Sequence, residues 1–503
     1  MRAKTMSYET AASVIAHLIE QPVRMLIDGQ LQAGRAKEGA LSVGDDTVTS
    51  VINPATGTPC ATAPLASSEQ LSEAVAAAKR AQKAWGATPL SERRNALLIA
   101  ADRLETHVDQ LAGLLTLEQG RHLPQTRGEV IRAASLLRAL LSINIEDDVL
   151  REDATGKVYV QHRPLGVIGA IAPWNVPIGL AVPKIAHALY MGNTIVLKPS
   201  PFTPLATLRL GELLADLFPR GVLNIVNGGN DIGEALCVHP DVAKIALTGS
   251  VATGKRVMAA CAGTLKRLTL ELGGNDPCIV RHDAQVSVIA PQLFAAAFIN
   301  CGQVCMAIKR LFVHRSIHDA LVQRLAELAS AARLGDGFDP ESNFGPLQNI
   351  QQFNAVKAVL DEVQGDGNAK ILAGGNFCDR PGYFIQPTIV TGLREGSTLV
   401  DQETFGPILP VMSFDSDQEA IERANTGALG LCASVWGTDI NAAEAVARCL
   451  EVGTVWINRH VGVDPFIPFG GAKESGLGRQ FGRQGLLDFT ETTAIYVPRP
   501  NPL

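Results

Sequence analysis

The segment 300-NCGQVCMA-307 places two thiols, Cys301 and Cys305, four residues apart with a glycine and a glutamine between them. A deprotonated cysteine is strongly nucleophilic and can carry a covalent intermediate. Two cysteines can equally begin a metal site, form a redox pair, or pack as small apolar residues. No CxxC occurs in the chain, and a metal site would need further ligands close by. The nearest histidines, His314 and His318, straddle a strand end and a helix start capped by Ser316 with Asp319, so they do not share a face. From local context alone, burial as packing is the favoured reading of both cysteines.

Other residues could join a thiolate. Glu271 in LELGG closes an apolar run before two glycines; it reads as a solvated terminal acid or as a mobile carboxylate serving as general base. Asn175 in PWN is a turn former by default, or an amide donor to an oxyanion. TGSVATG sets Gly249 and Gly254 around a strand-to-helix turn, where backbone N–H groups could face a pyrophosphate; the spacing is not GxGxxG. Lys198 in LKPS could reach a phosphate or a ribose hydroxyl, or be solvated.

The elements that must position these residues alternate. LGVIGAIAP, NTIVLKPS, VLNIVNG and KIALTGS read as strands. Between them, VPIGLAVPKIAHALYMG reads as a helix ending at Gly192, and TPLATLRLGELLADL as another. Strands alternating with helices of this length imply βαβ units and a parallel sheet, with PWN, KPS, NGG and TGS beyond the strand ends, where such sheets bind ligands. Upstream, a helix capped at Ser68 and two further amphipathic segments, in SERRNALLIAADRLETHVDQLAGLLTLEQG, read as covering helices. Downstream, DPCIVRHD, an alanine-rich helix ending near Cys305, KRLFVHRS and the helix HDALVQRLAELASAARLG begin a second α/β domain. ETTAIYVPRP is a lone extended segment needing a distant partner.

At 503 residues two or three domains are expected. With 46% hydrophobic and 19% charged residues, the composition is that of a globular protein, and a net charge of −6 without a basic run gives no footprint for nucleic acid. The longest apolar run, from Val167 to Ala172 and its flanks, falls short of the roughly 18 residues of a membrane span. The leader MRAKTMSYETAASVIAHLIEQPVR carries Glu9 and Glu20 and no cleavage pattern, so a cytoplasmic chain is expected. Nine scattered cysteines do not form a disulfide framework.

In order, PWN, KPS, TGS, ELGG, FxNxGQxC, ETFGP and PFGG resemble the aldehyde dehydrogenase superfamily over almost the whole chain, from VINPATG at 51–57 to the tail. The resemblance implies that Cys305 is the nucleophile and Cys301 packing. Asn175 and the nucleophile's own N–H would hold the oxyanion, and Glu271 would activate the water that releases the acid. For the cofactor it implies Lys198 at the adenosine ribose, Trp174 with Gly249 and Ser250 at the adenine and pyrophosphate, and Glu403 and Phe405 at the nicotinamide ribose and ring. Pro201 stands where many NAD-preferring relatives carry a glutamate, so a 2′-phosphate would not be repelled and NADP stays open, with NAD favoured as the commoner habit of the family. The implied reaction oxidises an aldehyde to its acid; acyl transfer to coenzyme A, against which Glu271 argues, and a non-catalytic scaffold are the alternatives.

The implied fold is α/β: a split Rossmann-like dinucleotide-binding domain at 14–140 and 165–274, a catalytic domain at 275–474, and a β oligomerisation arm at 141–164 and 485–503. The arm would pair between subunits and give the tail AIYVP its partner, in a homodimer or homotetramer. Pocket residues are expected near Val176, Ile178 and Leu180, the helix before Cys305, and Phe466 and Ile467. His460, in the same loop as the last two, is read as solvated. The substrate expected is a medium-sized, mostly apolar aldehyde.

Overall fold

The structure is a computed structural model that describes residues 19–35 and 47–499. The leader at 1–18, including the first residues of the expected dinucleotide domain, and the end of the arm at 500–503 lie outside the described residues.

The runs VIGAI and TIVLK are apolar almost throughout, and a strand of that kind is stable only when both of its faces are covered. They form Val167–Ile171 and Thr194–Lys198, adjacent parallel strands at the centre of an eight-stranded sheet. Leu223–Ile225 extends the sheet on one side, and Val242–Thr248 then Arg267–Glu271 extend it on the other. The strand order reverses between Val167–Ile171 and Val242–Thr248, which opens a crevice beyond their carboxyl ends. The edges are antiparallel, formed by the hairpin Met25–Ile27 with Gln30–Gln32 and, far away in sequence, by Gly476–Leu477 beside Leu270 and Glu271. Helices cover both faces. Ser68–Ala87 starts from a capping box between Ser67 and Gln70, one residue before the expected Ser68 cap, because Ser67 is the last extended residue and its hydroxyl reaches the Gln70 N–H.

The second sheet has seven strands in the order Lys370–Ala373, Thr388–Thr391, Ile408–Phe414, Ile308–His314, Asp276–Val280, Cys432–Trp436 and Thr454–Ile457, parallel except at the first pair. The alanine-rich helix before the two thiols spans Val286–Phe298 and ends earlier than expected. Asn300 and Cys301 adopt φ of 51° and 56°, and Gly302 follows at 74°. That left-handed run cannot continue an α-helix, so Cys305 lies in a turn leading into Ile308–His314. The helix Arg315–Ser330 is capped by His314, whose ring accepts the Ser316 N–H, and not by Ser316.

The tail strand Thr490–Pro498 pairs antiparallel along its length with Gly156–Pro164 of the same chain, and Asp148–Asp153 completes a three-stranded arm. The tail therefore finds its partner within the chain and does not need a second subunit to supply one.

Candidate active site

The two sheets approach the site by opposite ends. Asn175, Gly249, Ser250 and Glu271 come from the carboxyl ends of first-sheet strands, or from the turns just beyond them. Cys305 and Phe405 precede the amino ends of Ile308–His314 and Ile408–Phe414 in the second sheet. The Cys305 thiol, partly exposed, lies 3.8 Å from Glu271 Oε2. The other carboxyl oxygen, Glu271 Oε1, is buried with no hydrogen-bond partner, leaving an acceptor free beside the sulfur.

The glycines after Glu271 are there for close approach. A Cβ on Gly273 would meet Glu403 Oε2 at 2.2 Å, and one on Gly274 would meet the Cys305 carbonyl oxygen at 2.4 Å. Gly274 N–H donates to Glu403 Oε1 at 3.0 Å, and Gly249 N–H donates to the Glu271 carbonyl at 3.0 Å. Glu271, the turn at Gly249 and the turn at Cys305 thus lie close together, the first two joined backbone to backbone. Ser250 caps the helix Val251–Cys261 through the Thr253 N–H. Gly254 lets that helix lie against Leu272, whose Cδ1 a Cβ would meet at 2.5 Å.

Asn175 is buried, and its Nδ2 donates to Gln303 O at 2.9 Å, leaving its second amide hydrogen available. Asn300 Nδ2 donates to Asn175 O at 3.1 Å, and Gln119 Nε2 donates to Asn300 Oδ1 at 2.9 Å. Gln303 Nε2 donates to Asn300 O, and Gln303 Oε1 accepts the Gln348 N–H. Buried amides satisfied in this way hold one arrangement. The left-handed turn before Cys305 is therefore fixed to the asparagine that could face an oxyanion. Cys301 is buried, and its thiol donates to Gly345 O at 3.1 Å.

Charge is concentrated around the sulfur. Burial pushes the Glu271 carboxyl up to about 8, with Glu403 adding to the shift and Lys184 opposing it. Burial, then the carboxylates of Glu271, Glu403 and Asp276, hold the Cys305 thiol well above its usual range, while the Met306 N–H favours its anion. Burial lowers Lys184 to about 8 against the opposing pull of Glu271 and Cys305; its Nζ donates to Thr248 Oγ1 at 2.7 Å. Lys309, also lowered to about 8 by burial and opposed first by Glu403, donates to Gly302 O and stands 5.2 Å from the Phe405 ring centre. Trp174 meets Phe405 edge-on, with centroids 5.5 Å apart. Lys198 is buried at its strand end, with Nζ donating to Pro199 O at 3.3 Å.

Some expected residues fall elsewhere. Ile178 is fully buried in the first core, because on the helix Pro177–Tyr190 it cannot share a face with Val176 and Leu180, which are partly exposed. Phe466 and Ile467 lie on the surface, each 56% exposed. His460, expected in solvent, is buried and bonded on both ring nitrogens. Lys184, Lys309 and Asp276 were not singled out from the sequence. A lysine inside the apolar run VPIGLAVPKIAHALY was the signal for the first; nothing comparable marked the other two. Among the described residues, no group of three or more His, Cys, Asp or Glu side chains is placed to hold a metal.

The model of the aldehyde dehydrogenase family matches residues 42–495. Aldehyde dehydrogenase LUC3 of a Fusarium species is 40% identical, covering 90% of this chain and 96% of its own length. Phenylacetaldehyde dehydrogenase of Pseudomonas fluorescens is 38% identical over 95% of this chain and 96% of its own. Among solved structures, an NAD+ complex of aldehyde dehydrogenase from Bacillus cereus superposes with a TM-score of 0.89 at 34% identity, covering 97% of this chain and 98% of that one.

Proposed function

The chain belongs to the aldehyde dehydrogenase family, and we propose that Cys305, Glu271 and Asn175 carry its chemistry. Its reaction is the NAD-dependent oxidation of an aldehyde to the carboxylic acid.

The residues of the crevice fit a nicotinamide dinucleotide. An eleven-residue helix opens at Ser250 toward the strand ends, where its free N–H groups suit a pyrophosphate. Lys198 offers a buried ammonium at the end of Thr194–Lys198, two strands away, Glu403 a carboxylate for ribose hydroxyls, and Trp174 and Phe405 apolar ring edges. When bound, the nicotinamide accepts the hydride released from the substrate carbon.

The protein's own groups supply the rest. Cys305 loses its proton to solvent, and as the thiolate its sulfur bonds to the carbonyl carbon. The oxygen gains the electron pair and accepts hydrogen bonds from the free Asn175 amide hydrogen and the backbone at Cys305. Loss of hydride leaves a thioester on Cys305. Glu271 then takes a proton from water, the hydroxide adds to the thioester carbon, and collapse expels the Cys305 thiolate with the acid.

The observation that carries this reading is the 3.8 Å approach of the Cys305 sulfur to a buried carboxyl whose second oxygen has no partner. Val176 and Leu180, partly exposed just after Asn175, and Met306, partly exposed beside Cys305, support a medium-sized apolar aldehyde as substrate. The arm, with Leu150 66% and Tyr496 73% exposed, supports a homodimer or homotetramer. A panel of aliphatic, aromatic, carboxylated and amino aldehydes, read by reduction of NAD and of NADP, tests the assignment. Apolar aldehydes with NAD are expected to be turned over best; preference for charged aldehydes, or for NADP, would contradict it.

A further inference from the structure

Between the second sheet and the nucleophile turn runs a line of hydrogen bonds whose direction is fixed where it ends, on a backbone carbonyl. The Trp436 indole can only donate, and its Nε1–H goes to Ser434 Oγ at 3.0 Å. The Ser434 hydroxyl lies 2.7 Å from His460 Nδ1, and His460 Nε2 lies 3.0 Å from the Met306 carbonyl oxygen. A carbonyl oxygen can only accept, so the neutral imidazole carries its proton on Nε2, and Nδ1 accepts the Ser434 hydrogen. The ring is buried and stacked edge-on against Trp456, with centroids 5.2 Å apart. Burial lowers its pKa to about 3, so it stays neutral at working pH.

The backbone around the ring is held out of its relaxed shape. Asn458 and Val461 adopt φ of 53° and 65°, and a β-branched residue in the left-handed region persists only where its surroundings hold it there. The loop turns back over the sheet at these two residues and delivers His460 to the turn that contains Cys305. Met306 is the residue whose N–H favours the Cys305 anion.

We infer that His460 is a positioning residue for the nucleophile: by donating from Nε2 to the Met306 carbonyl, with Nδ1 held by Ser434, it fixes the Cys305–Met306 turn and with it the setting of the sulfur. The inference rests on the assignment of Cys305 as nucleophile. His460 touches neither substrate nor sulfur, so its removal acts on the readiness of the thiol and not on aldehyde binding.

The test is alkylation of the full-length protein with iodoacetamide across pH, followed by peptide mass, beside steady-state turnover, in wild type, Cys305→Ala, His460→Leu, His460→Gln and Ser434→Ala. His460→Leu should raise the pH at which Cys305 becomes reactive and lower kcat about tenfold, with aldehyde KM within about twofold, as for loss of one buried hydrogen bond. His460→Gln, which keeps a donor near Nε2, should recover to within about threefold of wild type. Ser434→Ala, which removes the Nδ1 partner that orients the ring, should fall between the two. Wild-type titration and turnover in His460→Leu would overturn the inference, and so would a glutamine variant as impaired as the leucine one. If the leucine variant does not fold, wild-type behaviour of Ser434→Ala overturns it instead. Failure of the underlying reading looks different: Cys305 would escape alkylation in the wild type, or Cys305→Ala would still turn over.

Discussion

The first sheet brings its carboxyl ends to the crevice and the second brings its amino ends, and the two halves of the chemistry divide accordingly. On the first side stand the strand ends and helix starts suited to a dinucleotide, with Glu271, the proposed base, among them. On the second stands a turn of left-handed residues that precedes a strand and holds the sulfur. The rule that ligands lie beyond the carboxyl ends of a parallel sheet finds the first group and would misplace the second. Under the proposed assignment, the nucleophile sits at the end of a sheet where that rule does not look, because a neighbouring sheet supplies the crevice.

Substitutions on the two sides should separate the steps. Cys305→Ala, on the second side, should abolish both turnover and the first release of reduced cofactor in a stopped-flow experiment; a surviving burst would break the division. Glu271→Gln, on the first side, should leave that burst and slow steady turnover by about a hundredfold or more, the usual contribution of a general base. Asn175→Ala should cost about a hundredfold in kcat, as expected for one oxyanion donor, and should slow the burst and the steady state together because both pass through an oxyanion.

The pH dependence sharpens the comparison. The Glu271 carboxyl is pushed up to about 8 by burial. It is thus protonated and inactive as a base below that value and becomes a carboxylate above it, so thioester release should climb with pH and level off above about 8. The Cys305 thiol is raised as well, so acylation should rise in the same direction. In Glu271→Gln the limb near 8 should vanish from the release step; its persistence would assign it to another group. The smallest effect is expected at Cys301, on the same turn as the nucleophile. Cys301→Ala should lower stability by about 1 kcal/mol through the lost bond to Gly345, measured by denaturant titration, with kcat unchanged.

What was legible in the sequence were residues whose neighbours along the chain identify them. Apolar runs ending in PWN, KPS and TGS and the glycines after Glu271 signal their setting locally, and the first sheet follows from strands alternating with helices; Cys305 stood out only through the resemblance of the ordered motifs, its own context favouring packing. Less legible was whatever depends on partners far away in sequence. Ile178 and Val176 differ by two positions, yet one enters the core and the other does not, because helical periodicity separates them. His460 looked solvated because its partners, Ser434 and Met306, are contributed by other elements. Lys309 and Asp276 were silent for the same reason. The end of the helix at Phe298 was missed because neither Gly nor Pro marks it; the break is made by Asn300 and Cys301 in left-handed conformations that the buried amide network satisfies.

The central claim is that one sulfur on the second side carries the substrate and one carboxylate on the first side releases it. Intact-protein and peptide mass spectrometry of Glu271→Gln, quenched after mixing with aldehyde and NAD, reads this directly. The account predicts an acyl adduct on the peptide containing Cys305, located at Cys305 and not at Cys301, accumulating as reduced cofactor appears. Reduced cofactor forming without any adduct, or an adduct located on Cys301, would contradict it.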